Sequence, residues 1–314
     1  MSERSMPSAS SIAVYVCTHC RNGPLRRVLA SLDEAASRIQ PGIEVAVVVV
    51  DDNPDGRARQ VVDSVSPGFI RGLHYRHSGA QNISVARNLG IEAALELADW
   101  VAMTDDDQTV SPHWFEALVT VQRTTGADAV TGPVTLHYEE GAAAWLDDQP
   151  FAEFLEAPPH PDGSRVEVCS TGNSMLRSAF LRRHPAIRFR TDLGRVGGED
   201  MVFYREAVAA GLDARYAVDA TCFAEQPAER QTYRYILRVS YWMGNTEYLT
   251  NVESGEAGRV RLAVRGLRRL VEAVARPFRR LVRGDAPQWR YAGAAAARAC
   301  GMLVGVAGTR VEHR

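Results

Sequence analysis

The first 135 residues alternate short apolar runs with segments of helical period, and polar loops punctuate each change. Ile12–Val16 is a continuous run of β-branched and aromatic residues, which predicts a buried strand. Pro24 then opens a helix over Leu25–Ile39, with Leu25, Val28, Leu29 and Leu32 on one face. Glu44–Val50 predicts a second buried strand, Arg57–Val65 a helix, Leu73–Arg76 a short strand and Ser84–Leu97 a helix. Trp100–Thr104 is the fourth strand, followed by a helix from Pro112 to Gln122 and a strand over Ala127–Val134. Strands alternating with helices through short links predict an α/β fold with a mostly parallel sheet.

The pattern then loosens. Residues 137–163 carry Trp145, Phe151, Phe154 and a Pro158-Pro159-His160-Pro161 patch, which reads as a long loop over a site. Val166–Ser170 predicts a strand, Thr171–Ser174 a tight turn, Ser178–Arg183 a helix and Met201–Ala210 another. Ala214–Val218 and Thr221–Glu225 read as short extended pieces, and Pro227–Arg230 leads into a further helix. From Val260 the apolar positions run Val260, Val264, Leu267, Val271, Val274, Phe278 and Leu281, in steps of three and four. The other side of that helix carries Arg261, Arg265, Arg268, Arg269, Arg276, Arg279, Arg280 and Arg283, with Pro277 expected to kink or split it.

Charge sharpens this division. All 36 basic residues are Arg, so chemistry that needs a lysine is excluded. Residues 255–314 hold 13 Arg against four acids, a net charge of +9, while the rest of the chain carries −11. A basic amphipathic helix on an acidic body predicts contact with an anionic membrane surface through 259–283, the alternative being a helix packed on the body. Ala292–Gly308 is too short and too weakly apolar to predict a membrane span. No aromatic residues interleave the Arg cluster and no recognition motif is present, so no nucleic-acid partner is expected. The first eleven residues are polar, Ser-rich and expected to be disordered, without a signal-peptide pattern. Five scattered cysteines argue against a disulfide framework, and Cys17-x-x-Cys20 has no second pair at zinc-finger spacing.

The chemistry gathers at the ends of apolar strands. Asp51-Asp52 closes the second strand and Asp105-Asp106-Asp107 follows the fourth. Adjacent carboxylates repel one another, and a divalent cation is their usual countercharge. In open parallel sheets, ligands bind beyond the carboxyl ends of the strands. Arg87 and Asn88, near a helix start, could hold an anion or form a solvated face. Gly197-Gly198-Glu199-Asp200 opens a helix with acids in its first turn, which could be capping or chemistry. No Gly-x-Gly-x-x-Gly or Gly-Lys-Ser/Thr loop is present, which argues against dinucleotide dehydrogenases and P-loop enzymes.

Taken in order, these stations resemble the family 2 glycosyltransferases of the GT-A fold over about residues 11–250. They are Val16-Cys17-Thr18, Val50-Asp51-Asp52, Arg87-Asn88, Thr104-Asp105-Asp106-Asp107 as an Asp-x-Asp motif, and Gly198-Glu199-Asp200. Gly132-Pro133-Val134, Ala144-Trp145-Leu146, Thr171-Gly172-Asn173, Glu229-Arg230 and Gly244-Asn245-Thr246 are similar to bacterial exopolysaccharide transferases of the succinoglycan type. The resemblance implies a Rossmann-like mixed, mostly parallel sheet flanked by helices. A nucleotide-sugar half (12–135) and an acceptor half (136–250) would be followed by a basic helical extension (251–314). It implies an inverting, metal-dependent sugar transferase at the inner face of the plasma membrane. The donor would be a nucleoside-diphosphate sugar, and the acceptor a lipid-linked saccharide or a natural product. Thr18, Asp52, Arg87, Asp105 and Asp106 would bind the nucleotide sugar. Asp105 and Asp107 would ligate Mg²⁺ or Mn²⁺. Asp200 would be the general base, with Glu199 orienting it or the acceptor.

Two positions depart from the family pattern. Ala224-Glu225-Gln226 stands where many relatives carry a metal-side His, and His19 replaces the usual Tyr or Arg. A sugar nucleotidyltransferase is disfavoured because it wants a Gly-rich, Lys-bearing loop, and a non-catalytic binding protein because the carboxylates are intact.

Overall fold

The computed structural model describes residues 10–138, 144–146, 151, 159–253, 255 and 257–312. These form two compact units. The first takes the described residues up to Leu136 and those of Ala157–Gly194 and Phe203–Glu225; the second takes those of His137–Glu156, Arg195–Val202 and Gln226–Arg314.

The first unit is built on a sheet of seven strands. In chain order they are β1 (Ser11–Thr18), β2 (Glu44–Asp51), β3 (Leu73–His77), β4 (Trp100–Asp105), β6 (Ala129–Thr131), β8 (Asn173–Arg177) and β9 (Ala214–Tyr216). The spatial order is β3-β2-β1-β4-β8-β6-β9. All neighbours are parallel except β8, which runs antiparallel to both β4 and β6. A small second sheet has the order β5-β10-β7, from Gln108–Val110, Cys222–Gln226 and Val134–Tyr138.

β1 is buried along its whole length, as the unbroken apolar run requires. Its side chains alternate between two cores. Ile12, Val14 and Val16 join one core with helices α1 (Asn22–Arg38) and α4 (Trp114–Thr125). Ala13, Tyr15 and Cys17 join the other with α3 (Ile83–Leu97), Phe180 and Phe203. A Cβ at Gly90 in α3 would lie 2.7 Å from the Tyr15 ring, so the glycine lets this helix sit on the sheet. Helix α2 is the short Arg59–Ser64.

The α/β expectation stands, with three local corrections. The run Ala127–Val134 is two strands, because Gly132-Pro133 interrupts it and proline cannot donate to a ladder. Val166–Ser170 forms no strand; Ser170 makes only an isolated bridge to Asn173. The expected turn at Thr171–Ser174 ends instead in β8, the central antiparallel strand, followed by α5 (Ser178–Arg183). Its short mixed sequence Asn-Ser-Met-Leu-Arg carries no strand period, and burial between β4 and β6 decides its state.

Chain 195–202 includes the first turn of α6 (Glu199–Ala209), which belongs to the second unit while Phe203 onward belongs to the first. The rest of the second unit is mainly three helices, α7 (Tyr233–Glu253), α8 (Arg259–Val282) and α9 (Trp289–Val306). Glycines bring α9 close to α7: a Cβ at Gly244 would overlap the carbonyl of Arg298, and one at Gly301 the carbonyl of Tyr241. At the other end of α7, Ile236 packs with Ala294, Leu146 and Phe151. Most of the 137–163 loop lies outside the described residues.

Candidate active site

Parallel register brings the strand ends together. Thr18 pairs with Asp51 across β1 and β2, and Cys17 with Asp105 across β1 and β4. Three sequence stations, the outer two more than eighty residues apart, therefore meet at one edge. The contacts there are specific. The Thr18 hydroxyl donates to Asp106 Oδ2 at 2.7 Å. Arg21 Nη1 donates to Asp106 Oδ1 at 2.9 Å and to Asp107 Oδ2 at 3.0 Å. Burial pushes the Asp106 carboxyl up to about 6, against the opposing pull of the Arg21 guanidinium. The Arg21 pKa is raised: burial lowers it, but Asp106 and Asp107 outweigh that.

Asp51 and Asp52 divide their labour. Asp51 is a structural residue. It accepts from the backbone N–H of Asn53 (3.0 Å) and Ala58 (2.7 Å) and from the Tyr75 hydroxyl (3.2 Å), closing the loop after β2. Asp52 receives the Ser78 hydroxyl at 2.5 Å and the Ala80 N–H at 3.1 Å, both on Oδ1. Its own N–H donates to the Thr18 carbonyl at 2.9 Å. The loop after β3 thereby orients the carboxylate, while the end of β1 holds the backbone.

Arg87 and Asn88 also separate. Asn82 caps α3, accepting from the N–H groups of Ser84 and Val85. One turn in, Asn88 makes a reciprocal pair with the Phe189 backbone, donating to its carbonyl at 2.8 Å and accepting from its N–H at 2.9 Å. That clamp sets the Phe189 ring 5.6 Å from the buried Arg87 guanidinium. Arg87 Nη2 then lies 3.4 Å from Asp105 Oδ1. A Cβ at Gly172 would stand 3.1 Å from Asp105 Oδ2, so the loop before β8 runs directly against this carboxylate.

Thr18, Asp52, Arg87, Asp105, Asp106 and Asp107 thus gather at one end of the sheet in the first unit. Sequence reasoning gave no site role to Arg21, or to Gly172, which entered only in the resembling Thr171-Gly172-Asn173. Arg21 sits three residues after Thr18, and that place in the strand-end loop was the available signal. Glu225 is tied to the same site by its N–H, which donates to the Asp107 carbonyl at 2.9 Å. Among the described residues, no group of three or more His, Cys, Asp or Glu side chains forms a metal cage. The cysteines are free thiols. Cys17 is buried, which pushes its thiol up, and exposed Cys20 accepts from Asn53 Nδ2 at 2.5 Å.

In the second unit, Glu199 and Asp200 start α6. Glu199 is buried and Asp200 is half-buried, with Asp200 Oδ1 accepting its neighbour's N–H at 2.7 Å. The turn before them is held by α7. The Val196 carbonyl accepts from Trp242 Nε1 at 2.7 Å and from the Thr246 hydroxyl at 3.2 Å. Gly197 and Gly198 have φ of +89° and +87°, and any Cβ there would run into the Trp242 ring or the Thr250 methyl. Only glycine fits both the backbone and the space.

The chain matches Glycosyl transferase family 2 over residues 13–187. It is 32% identical to the succinoglycan biosynthesis protein ExoM of Rhizobium meliloti (strain 1021) over 239 residues, 75% of this chain and 73% of that one. Among solved structures it is similar to S. aureus TarS 1-349 in complex with UDP-GlcNAc, with a TM-score of 0.53 and 14% identity over 94% of this chain and 90% of that one. Another TarS 1-349 crystal structure aligns over 65% of its length. The mannosyltransferase PcManGT from Pyrobaculum calidifontis, in complex with GDP-Man and Mn²⁺, gives a TM-score of 0.53 and 15% identity over 96% of this chain and 74% of that one. These structural likenesses show the fold, GT-A, and nothing finer. The family match over more than half of the chain, together with the ExoM identity, establishes that this protein belongs to the family 2 glycosyltransferases.

Proposed function

We propose that this glycosyltransferase moves a sugar from a nucleoside-diphosphate donor to an acceptor hydroxyl with inversion, in exopolysaccharide or cell-envelope glycan synthesis. The observation that carries the donor half is the convergence of Thr18, Arg21, Asp52, Arg87 and Asp105–Asp107 at the ends of β1, β2 and β4. Asp52, held from two sides, is suited to a fixed acceptor role toward a base N–H. Arg87 and Arg21 supply cationic donors for a diphosphate. ExoM, by its name a succinoglycan biosynthesis protein, supports a polysaccharide acceptor, and the UDP-GlcNAc and GDP-Man complexes of the structural neighbours support a nucleotide-sugar donor.

Asp105 and Asp107 fit a Mg²⁺ or Mn²⁺ ion that is shared with substrate. Such hard cations take one or two protein carboxylates and complete their shell with phosphate oxygens and water, so two carboxylates at a strand end suffice without a protein cage. When bound, the ion neutralises charge developing on the leaving diphosphate. Asp200 removes the acceptor proton as that oxygen forms its bond to the anomeric carbon and the bond to the diphosphate oxygen breaks. Buried Glu199, one residue earlier in the same turn, orients Asp200 or the acceptor.

Thermal unfolding with UDP, dTDP, GDP, ADP and CMP, each with Mn²⁺ or with EDTA, tests this reading. A ligand at a hundred times its dissociation constant stabilises by about 2.7 kcal/mol. One diphosphate is expected to stabilise only with metal. Asp200→Ala is expected to keep that shift and lose sugar transfer. No shift with any nucleotide, or a shift indifferent to EDTA, would overturn the assignment.

A further inference from the structure

Helix α8 has three distinct sides. Leu262, Gly266, Ala273 and Pro277 are its buried side, turned to α9, where Gly266 admits the Leu303 side chain. The stripe of Val260, Val264, Leu267, Val271, Val274, Phe278 and Leu281 is not that side. Each of these residues is 50–80% exposed. On a wheel of 100° per residue the stripe centres about 120° from the buried side. The third side is arginine. Of its members, Arg265 and Arg269 turn inward to Glu247 on α7, joined there by Arg298 of α9. Arg261, Arg268 and Arg283 have no carboxylate partner among the described residues. Phe278 packs edge-on against half-exposed Trp289 at the end of the stripe.

A soluble surface rarely leaves seven large apolar side chains in one exposed line. We infer that α8 lies in the surface of an anionic bilayer, with the Val260–Leu281 stripe bedded among the acyl chains and Arg261, Arg268 and Arg283 on headgroup phosphates. Charge complementarity selects this occupant. A second copy packed antiparallel by twofold symmetry on the same stripe would bring like-charged arginine flanks together. A basic flank beside an apolar stripe, with aromatic rings at its end, suits an interface of phosphates over hydrocarbon. No described helix is long and apolar enough to cross a membrane, so this contact is with the surface.

The docking helix and the acidic turn belong to one body. α8 packs on α9, α9 is locked into α7 by Gly244 and Gly301, and α7 holds the Val196–Asp200 turn through Trp242 and Thr246. Docking α8 therefore holds the Glu199–Asp200 turn in a set orientation to the bilayer. Resting on the transfer reading above, this points to an acceptor that is itself lipid-borne.

The test is co-sedimentation of the full chain with vesicles of phosphatidylcholine alone and with about a quarter of phosphatidylglycerol. Binding is expected to the anionic vesicles and to weaken with salt. The pair Leu267→Glu and Val271→Glu, both on the exposed stripe, is expected to weaken it at least tenfold. The triple Arg261→Gln, Arg268→Gln, Arg283→Gln is expected to weaken it by about a hundredfold, as the loss of three headgroup contacts would. Both variants should keep wild-type unfolding and the nucleotide-dependent shift, which separates docking from failure of the donor site. Equal binding by variants and wild type, no binding to either vesicle, or a dimer in solution that the stripe variant dissolves would overturn the proposal.

Discussion

Single side chains at the strand ends do different jobs that their spelling conceals. In Asp105-Asp106-Asp107 the middle carboxylate is buried on Thr18 and Arg21, while the outer two are the more open. Asp107→Ala is accordingly expected to leave the unliganded protein within about 1 kcal/mol of wild type, since Arg21 keeps Asp106. The same variant should remove the metal-dependent part of nucleotide stabilisation, read as the difference between Mn²⁺ and EDTA melts. Asp99 offers a pH test away from the site. The Ser10 hydroxyl, and then that of Ser11, hold its carboxyl below the usual range despite partial burial. A depressed carboxyl stabilises the fold above its unfolded pKa, and that contribution fades as pH falls through the folded value. Urea midpoints of wild type and Asp99→Asn should differ slightly at pH ~7, because solvent screens this largely exposed group, and should converge in acid, as pH falls below the ordinary carboxylate range.

Among elements, the contact of α7 with α9 and with the Val196–Asp200 turn is the joint on which the second unit depends. Gly244→Ala puts a methyl on the Arg298 carbonyl, and overpacking of this kind costs about 1–3 kcal/mol. Thermal unfolding should show that loss. Trp242→Phe keeps an aromatic side chain but deletes the indole N–H and its hydrogen bond to the Val196 carbonyl. It is expected to cost about 1 kcal/mol of stability and to lower kcat for transfer, while the nucleotide-dependent melting shift is unchanged. A nucleotide shift lost in this variant would mean that the turn is not an acceptor-side element. The same scale explains what pattern reading missed. β8 is short and lacks alternation, so its strand state comes from lying between β4 and β6.

For the molecule as a whole, the net charge of −2 conceals a basic C-terminal region and an acidic remainder. Raising salt from low to physiological strength should weaken binding to anionic vesicles, because the Debye length falls to about 8 Å. The nucleotide-dependent shift, set by buried and partly buried contacts, should change far less. A parallel loss of both would argue that Arg in the C-terminal region, and not those at the strand ends, carry the nucleotide.

The alternation of apolar strands and amphipathic helices determined the α/β class, because buried parallel strands have to be apolar throughout and their helices one-sided. Carboxylates at strand ends located the candidate site for the same reason: a parallel sheet puts those ends side by side. Tertiary structure decided the rest. It made Asp51 a loop residue and Asp52 an oriented carboxylate, recruited Arg21 to the Asp cluster, and used Asn88 to seat Phe189 beneath Arg87. Above all it decided which side of α8 is inside. The period of three and four showed that an apolar face exists. The buried side, Leu262 with the small residues Gly266, Ala273 and Pro277, showed that this face is left outward. Small residues allow the closest helix approach and carry almost no hydrophobic signal, so the buried side of that helix was invisible until its partner was in place.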